Sequence, residues 1–222
     1  MCGTTWTTGK SLQNWQVPDE RGSRPVVPAG GSPAMNVQYE NIPAELVGLD
    51  RWVVWKYEER NGTVTKPPYV PAPGRRRHAL VNVRSTWGTF VQAKSTLESG
   101  GFDGIGFVLG EGIFGIDFDH ADDAMVQEAL SLGSYTEWSP SGHGVHVIGR
   151  SRFVLKGRKK GSVELYMKGR YFTVTGSLVA GSAATLREIP PAQMTDFFRR
   201  HFEDVPASGR NDDTGRRDPP GS

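Results

Sequence analysis

The sequence of 222 residues contains a single cysteine, Cys2, and no long apolar run. One cysteine cannot form an intrachain disulfide or a cysteine-rich zinc site, which argues against a small secreted scaffold. No apolar segment approaches the roughly 20 residues that a transmembrane helix needs, and the N-terminus lacks the apolar core of a signal peptide. We therefore expect a soluble protein of the cytoplasm, with no membrane partner.

An excess of charge of one sign is also missing. The formal net charge is only +2, so the total charge does not single out nucleic acid as a partner. Basic residues are nevertheless clustered in Arg75-Arg76-Arg77-His78 and at Lys156 and 158–160. Such runs are usually solvated loops, but beside a site of acidic residues they become candidates for contacts with the phosphates of a template or primer.

The composition divides the chain into three parts. Residues 1–36 and 205–222 are rich in Gly, Pro and polar residues without apolar periodicity, so we expect a disordered leader and a disordered tail. Residues 37–204 contain the periodic segments and are long enough for one domain with a sizeable core.

Hydrophobic periodicity within 37–204 predicts interspersed strands and helices, which is the α+β class. The segment 42–47 is expected to be a short helix or turn, and longer helices are expected at 85–99, 121–132 and 191–202. The last two strands are expected to form a hairpin that turns at Lys168-Gly169. The predicted strands are 51–59, 63–70, 105–109, 114–118, 135–138, 145–149, 163–167 and 171–175.

Three of these strands carry acidic or imidazole side chains between apolar residues. Successive side chains of a strand point to opposite faces, so Asp117 and Asp119 share one face and the apolar residues between and before them share the other. The same alternation separates His146 and Glu164 from their apolar neighbours. If the three strands are neighbours in one sheet, all four side chains converge on one polar face.

Carboxylates crowded on one face repel each other unless a cation lies among them. Mg²⁺ and Mn²⁺ accept hard oxygen ligands and complete their coordination with substrate phosphates. Two such ions, roughly 3.5–4 Å apart, stabilise the attacking and leaving oxygens of a displacement at phosphorus. The pattern therefore indicates nucleotidyl transfer or phosphodiester cleavage.

Each element of the pattern also has an ordinary structural interpretation. An Asp-x-Asp at the end of a strand is often a helix cap, and a lone histidine such as His146 is more often a core residue with its hydrogen bonds satisfied. Gly142 and Gly144 alone are typical of a hairpin turn. The joint occurrence of these features in this order favours a site.

The motifs resemble those of the archaeo-eukaryotic primase superfamily, and more narrowly the primase-polymerase domain at the N-terminus of phage and plasmid replication proteins. That superfamily is marked by an Asp-hydrophobic-Asp motif, a Ser-x-His type motif and a hydrophobic-acid motif. Here they correspond to Asp117 and Asp119, to Ser141 through His146, and to Glu164. The similarity runs from about residue 42 to 176 and includes the segments IPAEL (42–46), RWVVW (51–55), KPPY (66–69), TWGTF (86–90), GIGFVL (104–109) and GRYFTVTG (169–176).

The resemblance implies a catalytic domain built on an RRM-like mixed or antiparallel sheet with flanking helices. It implies that Asp117, Asp119 and Glu164 are catalytic and hold the metals, Mg²⁺ or Mn²⁺ in a two-metal site. The expected activity is that of a DNA primase or DNA polymerase in the replication of a phage, plasmid or other mobile element. Such a protein would work in the cytoplasm of the host cell.

The resemblance also implies that His146 contacts the phosphates of a nucleoside triphosphate, with Ser141 and Arg170 as further nucleotide contacts. His143 lies between two glycines and is expected to be an exposed loop residue. DNA template and primer are the other expected partners. Many relatives continue into a helicase, so a replicative helicase is expected to be encoded separately. The zinc-bearing insertion of some relatives is not expected, because this chain has one cysteine.

Three other functions fit parts of the pattern. A phosphatase of the haloacid dehalogenase type would use Asp117 as nucleophile, but it needs a parallel core that the predicted hairpins oppose. A metal-dependent nuclease remains an alternative, although the spacing of His143 and His146 differs from that of a relaxase. A non-catalytic module that binds single-stranded nucleic acid would use exposed aromatic residues for stacking, yet Trp52 and Trp55 lie in periodic segments typical of a core.

Overall fold

The computed structural model describes residues 35–74, 76–152 and 157–203. Most of the predicted leader, the whole predicted tail, Arg75 and Lys156 lie outside the described residues, so the expectations about them stay predictions.

The described residues form runs of strands interspersed with helices, and the sheet pairings are antiparallel, which confirms the α+β class. The helices are α1 (Ala44–Val47), α2 (Phe90–Glu98), α3 (Asp123–Ser131) and α4 (Pro191–Phe202), with short 3₁₀ turns at Tyr39–Asn41 and Arg84–Thr86. The strands are β1 (Trp52–Trp55), β2 (Glu58–Arg60), β3 (Thr63–Thr65), β4 (Pro68–Tyr69), β5 (Gly104–Val108), β6 (Ile113–Phe118), β7 (Tyr135–Trp138), β8 (Val145–Arg150), β9 (Arg158–Lys160), β10 (Val163–Tyr166) and β11 (Tyr171–Val174).

Two larger sheets and one small hairpin contain all of these strands. The first sheet has the order β11-β5-β1-β4, and β2 and β3 form a separate two-stranded hairpin. The second sheet has the order β7-β8-β6-β10-β9, and its paired strands are all antiparallel. Helix α3 carries the chain from β6 in the middle of this sheet to β7 at its edge.

Strand β6 alternates between two environments, as the sequence predicts. Ile116 and Phe118 are fully buried in a core that includes Phe197 of α4 and Ala129 of α3. The residues on the other face of β6 point toward the first sheet. One of them, Ile113, packs in a different core that includes residues of the first sheet. Helices α3 and α4 therefore cover one face of the second sheet, and the other face meets the first sheet.

Aromatic packing between the sheets depends on a glycine. A Cβ atom on Gly115 of β6 would lie 2.6 Å from the Phe172 ring of β11. This ring in turn lies 5.0 Å, centroid to centroid, from the ring of His146. The absence of a side chain at position 115 lets the two sheets approach closely beside the polar face.

The predicted hairpin between the last two strands is wrong. Strand β10 pairs with β6 and β9, whereas β11 pairs with β5 in the other sheet. The turn at Gly169, whose φ is 72°, passes the chain from one sheet to the other. A local turn signal does not reveal this, because both continuations place Gly in the same left-handed conformation.

The helix predicted at 85–99 begins only at Phe90. Thr89 and Gln92 form a capping box, in which the Thr89 hydroxyl accepts from the Gln92 N–H at 3.1 Å. The residues before it run beside β1 instead, and Gly88 pairs with Trp52. Tertiary pairing thus removes one turn from the predicted helix. Similarly, the strand predicted at 51–59 is divided into β1 and β2.

Within the described residues, none of the helices has both the length and the apolar character that crossing a bilayer requires.

We predict that Gly176→Ala strongly destabilises the domain. Gly176 has φ 69°, and a Cβ there would lie 2.0 Å from the backbone oxygen of Gln38. Backbone must therefore move, and we expect a loss of more than about 3 kcal/mol in the free energy of unfolding, measured in urea. Gly133→Ala is the matched control, since Gly133 has φ 68° with no atom within 4 Å of its added Cβ. It should lose only about 1 kcal/mol, and equal losses would contradict the steric argument.

Candidate active site

Ionisable residues form a line across the second sheet. The register places Glu137 of β7 opposite His146 of β8, His146 opposite Asp117 of β6, and Asp117 opposite Glu164 of β10. Lys159 of edge strand β9 is opposite Glu164. Directly opposed residues have their Cβ atoms about 4.5–5.5 Å apart. The line therefore brings three acids, an imidazole and an ammonium group together on one face.

This face forms one wall of a cavity of about 730 Å³ between the two sheets. Strand β11 and the loop before it form a second wall, and β3 and the Pro67-Pro68 segment lie on the remaining side. The charged residues that line the cavity are Arg60, Lys66, Asp117, His146, Glu164 and Arg170.

Asp117 lies in the middle of the line, with its side chain 25% exposed. Burial raises the pKa of its carboxyl group, and the negative charges of Asp119 and Glu164 raise it further. His146 and Lys66 oppose this shift only in part. The folded protein therefore holds the charged form of Asp117 at a cost, as expected for acids gathered without a cation among them.

His146 is buried between two carboxylates. Its Nδ1 lies 3.1 Å from the backbone oxygen of Thr173 and 3.5 Å from Oε1 of Glu137. Its Nε2 lies 3.7 Å from Oδ1 of Asp117. Burial alone would lower the pKa of His146, but the carboxylates of Glu137 and Asp117 outweigh it and raise the pKa.

Glu164 is surrounded by donors. The Tyr166 hydroxyl donates to its Oε2 at 2.5 Å, and the Lys159 ammonium group donates to its Oε1. Arg170 lies 3.7 Å from Oε2. Burial raises the pKa of Glu164, but the hydrogen bonds from Lys159 and Tyr166 and the charges of Lys159 and Arg170 outweigh burial and lower it.

Two of the cationic side chains that line the cavity, Arg170 and Lys66, lie against aromatic rings. Arg170 stacks over the Tyr166 ring at 4.6 Å and donates to the Tyr166 hydroxyl at 2.8 Å. Lys66 lies beside the rings of Trp55 and Tyr57, each 5.9 Å from its Nζ. Burial lowers the pKa of Lys66, although the charges of Asp117 and Asp119 oppose this.

The turn between β7 and β8 lies at the end of the same strands. Its backbone closes through a hydrogen bond from Ser139 N to Gly144 O at 2.8 Å, and Gly142 has φ 73°. The Ser141 hydroxyl lies 3.0 Å from that of Ser139 and accepts from His143 N at 3.3 Å. Ser141, Gly142 and His143 are all exposed.

The donor set fits a hard divalent cation in its chemistry. Asp117 and Glu164 are opposite on neighbouring strands, and Asp119 lies in the turn directly after β6. Carboxylates are the ligands that Mg²⁺ and Mn²⁺ accept most readily. Across residues 35–74, 76–152 and 157–203, however, no three His, Cys, Asp or Glu side chains are gathered closely enough to ligate one ion. In its present conformation Glu164 contacts Lys159 and the Tyr166 hydroxyl instead, and Asp117 faces the ring of His146.

Comparison with known proteins identifies the relationship. No family model matches the chain. Over 170 residues, the chain is 35% identical to a protein named DNA primase-polymerase from Nitratiruptor phage NrS-1, and the alignment covers 69% of the chain. The chain belongs to the primase-polymerase family. It spans only 23% of the phage protein's length, so the activity of that whole protein does not carry over with the alignment.

The primase-polymerase domain brings some of the predicted site residues together and leaves others apart. Asp117, His146, Glu164 and Arg170 line the cavity, whereas Asp119 is not among the lining residues and is exposed. Ser141 also lies outside the lining, in the exposed turn. The assignment of catalytic, metal-binding and nucleotide-binding roles to these residues stays a prediction.

Two residues of the site were missed by reasoning from the sequence. Glu137 was included only in a predicted strand, although it alternates with Thr136 and Trp138 as His146 does with its neighbours. Lys66 appeared only within the KPPY segment of the resemblance. The available signal for Lys66 was the pair of prolines that follows it, because proline restricts the backbone and so fixes the direction of a neighbouring side chain.

We predict that Asp117→Asn preserves or raises the melting temperature in EDTA at pH 7.5. The raised pKa of Asp117 means that its ionised form costs stability above that pKa, and the amide removes the cost. The gain should be a few degrees, since about 1 kcal/mol moves Tm by about 2–4 °C in a domain of this size. Asp50→Asn, at an exposed carboxylate, should leave Tm unchanged. A clear fall in Tm for Asp117→Asn would contradict the predicted charge crowding.

Proposed function

We propose that this domain catalyses metal-dependent nucleotidyl transfer on DNA, as a primase, a polymerase or both. The observation that supports the proposal best is the line of Asp117, Glu164 and His146 along a cavity that also contains Lys66 and Arg170. Acids on one wall suit divalent cations, and cations on the facing walls suit the phosphates that such ions accompany.

In this proposal the triphosphate of an incoming nucleotide lies in the cavity. His146 presents Nε2 and Arg170 presents its guanidinium group to the phosphate oxygens, and both are donors suited to charge-assisted hydrogen bonds. Lys66 adds a third cation to the lining of the cavity. The Ser139–Gly144 turn offers Ser141 as a further contact, because exposed hydroxyl and backbone N–H groups beside glycine approach an anion closely.

Asp117, Asp119 and Glu164 would hold Mg²⁺ or Mn²⁺, which when bound would supply charge stabilisation at the reacting phosphorus. The exposed side chain of Asp119 needs to turn toward Asp117 for this role. Glu164 needs to exchange its contact with Lys159 for a contact with the ion. Lys159 then becomes available to phosphates of substrate or DNA.

Template and primer DNA are the proposed macromolecular partners. Strand β9 at the edge of the second sheet consists of Arg158, Lys159 and Lys160, and all three residues are exposed. An exposed basic strand beside the acids is suited to the phosphate backbone. We further propose that the protein acts in the cytoplasm on a phage, plasmid or other mobile element, with a replicative helicase as a partner.

Alanine substitution of the acids tests the metal assignment. Asp117→Ala or Asp119→Ala should reduce incorporation of deoxynucleotides on a primed template, with Mg²⁺ or Mn²⁺, by at least about 100-fold, the upper end for disturbing a metal ligand's environment. Asp123→Ala, an exposed acid in the first turn of α3, is the control and should retain activity. Substantial incorporation by a protein that carries both Asp117→Ala and Asp119→Ala would exclude the proposed metal ligands. Hydrolysis of DNA without incorporation would instead favour a nuclease.

A comparison of the two histidines tests the nucleotide assignment. His146→Ala or Arg170→Ala should weaken binding of dATP about 10- to 100-fold, because a hydrogen bond to a charged group contributes about 1.5–3 kcal/mol. His143→Ala should change binding little, since His143 is exposed and lies outside the cavity lining. Calorimetric titration measures all three. A larger effect at His143 than at His146 would exclude His146 as the phosphate contact.

A further inference from the structure

Glu137 is a buried carboxylate for which the proposed chemistry has no use. Its side chain is 0% exposed. Glu137 lies on β7, the edge strand of the second sheet, directly opposite His146 on β8. Burying a carboxylate is costly unless hydrogen bonds compensate for the lost water. The arrangement of those hydrogen bonds distinguishes the two oxygens of Glu137.

One oxygen of Glu137 is fully anchored. Oε2 accepts from the Tyr135 hydroxyl at 2.6 Å, from the N–H and hydroxyl of Thr175 at 2.9 and 3.0 Å, and from Gly176 N at 2.8 Å. These donors come from β7 and from the segment that follows β11. They fix the carboxylate at the junction of the two sheets.

The other oxygen, Oε1, is buried and has no hydrogen-bond partner among the described residues. Nδ1 of His146 lies 3.5 Å from it. A buried oxygen left without a donor is rare, and it needs a physical explanation. Here the explanation is electrostatic: the anchored carboxylate points its unpaired oxygen at the edge of the imidazole ring.

The position of the Nδ1 proton follows from the neighbours of the ring. Nδ1 lies 3.1 Å from the backbone oxygen of Thr173, which can only accept a hydrogen bond. Nδ1 therefore carries a proton, and Nε2 is the nitrogen on the side of Asp117. A carboxylate at Nδ1 favours this arrangement and also favours a positive ring when Nε2 donates to an anion.

We propose that Glu137 is a positioning residue for nucleotide binding. It holds the His146 ring with Nδ1 protonated and Nε2 directed to the cavity, where the phosphates of a nucleoside triphosphate bind. The proposal rests on the proposed function, in which His146 contacts those phosphates. Glu137 itself touches neither the nucleotide nor the metals.

Glu137→Gln separates the effect of the Glu137 charge on the His146 ring from the contribution of the side chain to packing. The amide keeps the size of the side chain and an oxygen that can accept from the backbone of Thr175 and Gly176, but it replaces the anion at Nδ1. Tyr135→Phe is the matched control, because it removes one hydrogen bond from Oε2 and leaves Oε1 and His146 in place. Both variants are made in the full chain.

The first measurement is the ¹⁵N spectrum of the imidazole rings without nucleotide, with the His146 signals identified by their loss in His146→Ala. We expect a protonated Nδ1 in the unmodified protein and in Tyr135→Phe, and a shift toward protonation at Nε2 in Glu137→Gln. A His146 ring that carries its proton only on Nε2 in the unmodified protein would overturn the proposal, even if Glu137→Gln does not fold. A ring spectrum of folded Glu137→Gln identical to the unmodified one would do the same.

The second measurement is a double-mutant cycle on dATP binding with Mg²⁺. Glu137→Gln should weaken binding about tenfold in the unmodified background, and it should have no further effect in the His146→Ala background. Equal weakening in both backgrounds would show a merely structural role and overturn the proposal. If the unmodified protein does not bind dATP, the proposed function and the nucleotide role of Glu137 fail together. Normal dATP binding that Glu137→Gln leaves unchanged overturns the role of Glu137 alone.

Discussion

Repulsion between the carboxylates of one line of side chains is the interaction on which the site depends. Glu137, Asp117 and Glu164 are acids on three strands of one sheet, and burial makes their mutual repulsion stronger than it would be in water. His146 separates the first two, and Lys159 and Arg170 neutralise the third. A sheet that only had to fold would place apolar residues at these positions, as β6 does on its opposite face. The conflict is therefore a property of the site and not of the fold.

The predictable part of this arrangement was local. Alternation along β6 places Asp117 on the opposite face of the sheet from Ile116 and Phe118, because successive side chains of a strand point to opposite faces and one face is buried. The same rule placed His146 and Glu164, and the helix at Pro191–Phe202 was predicted with its observed bounds. These features depend on neighbours in sequence, which the sequence displays directly.

The unpredicted part depends on pairing between distant segments. Nothing local distinguishes a hairpin from a chain that leaves one sheet for another, so the separation of β10 and β11 was missed. The role of Glu137 was missed for a related reason. Its significance comes from its register partner His146 and from the donors of Thr175 and Gly176, far along the chain. Sequence periodicity gives the face of a residue and does not give its neighbour across the sheet.

The crossing of the chain from β10 to β11 has a mechanical consequence. Glu164 belongs to one sheet, Thr173 belongs to the other, and fewer than ten residues connect them. Because the Thr173 carbonyl contacts His146, the second sheet's imidazole is held by the first sheet's backbone. The two walls of the cleft are thus joined by a short covalent connection that includes Arg170. A connection of this length limits how far Glu164 and Thr173 can separate, so the chemical groups of β10 and β11 stay close to each other.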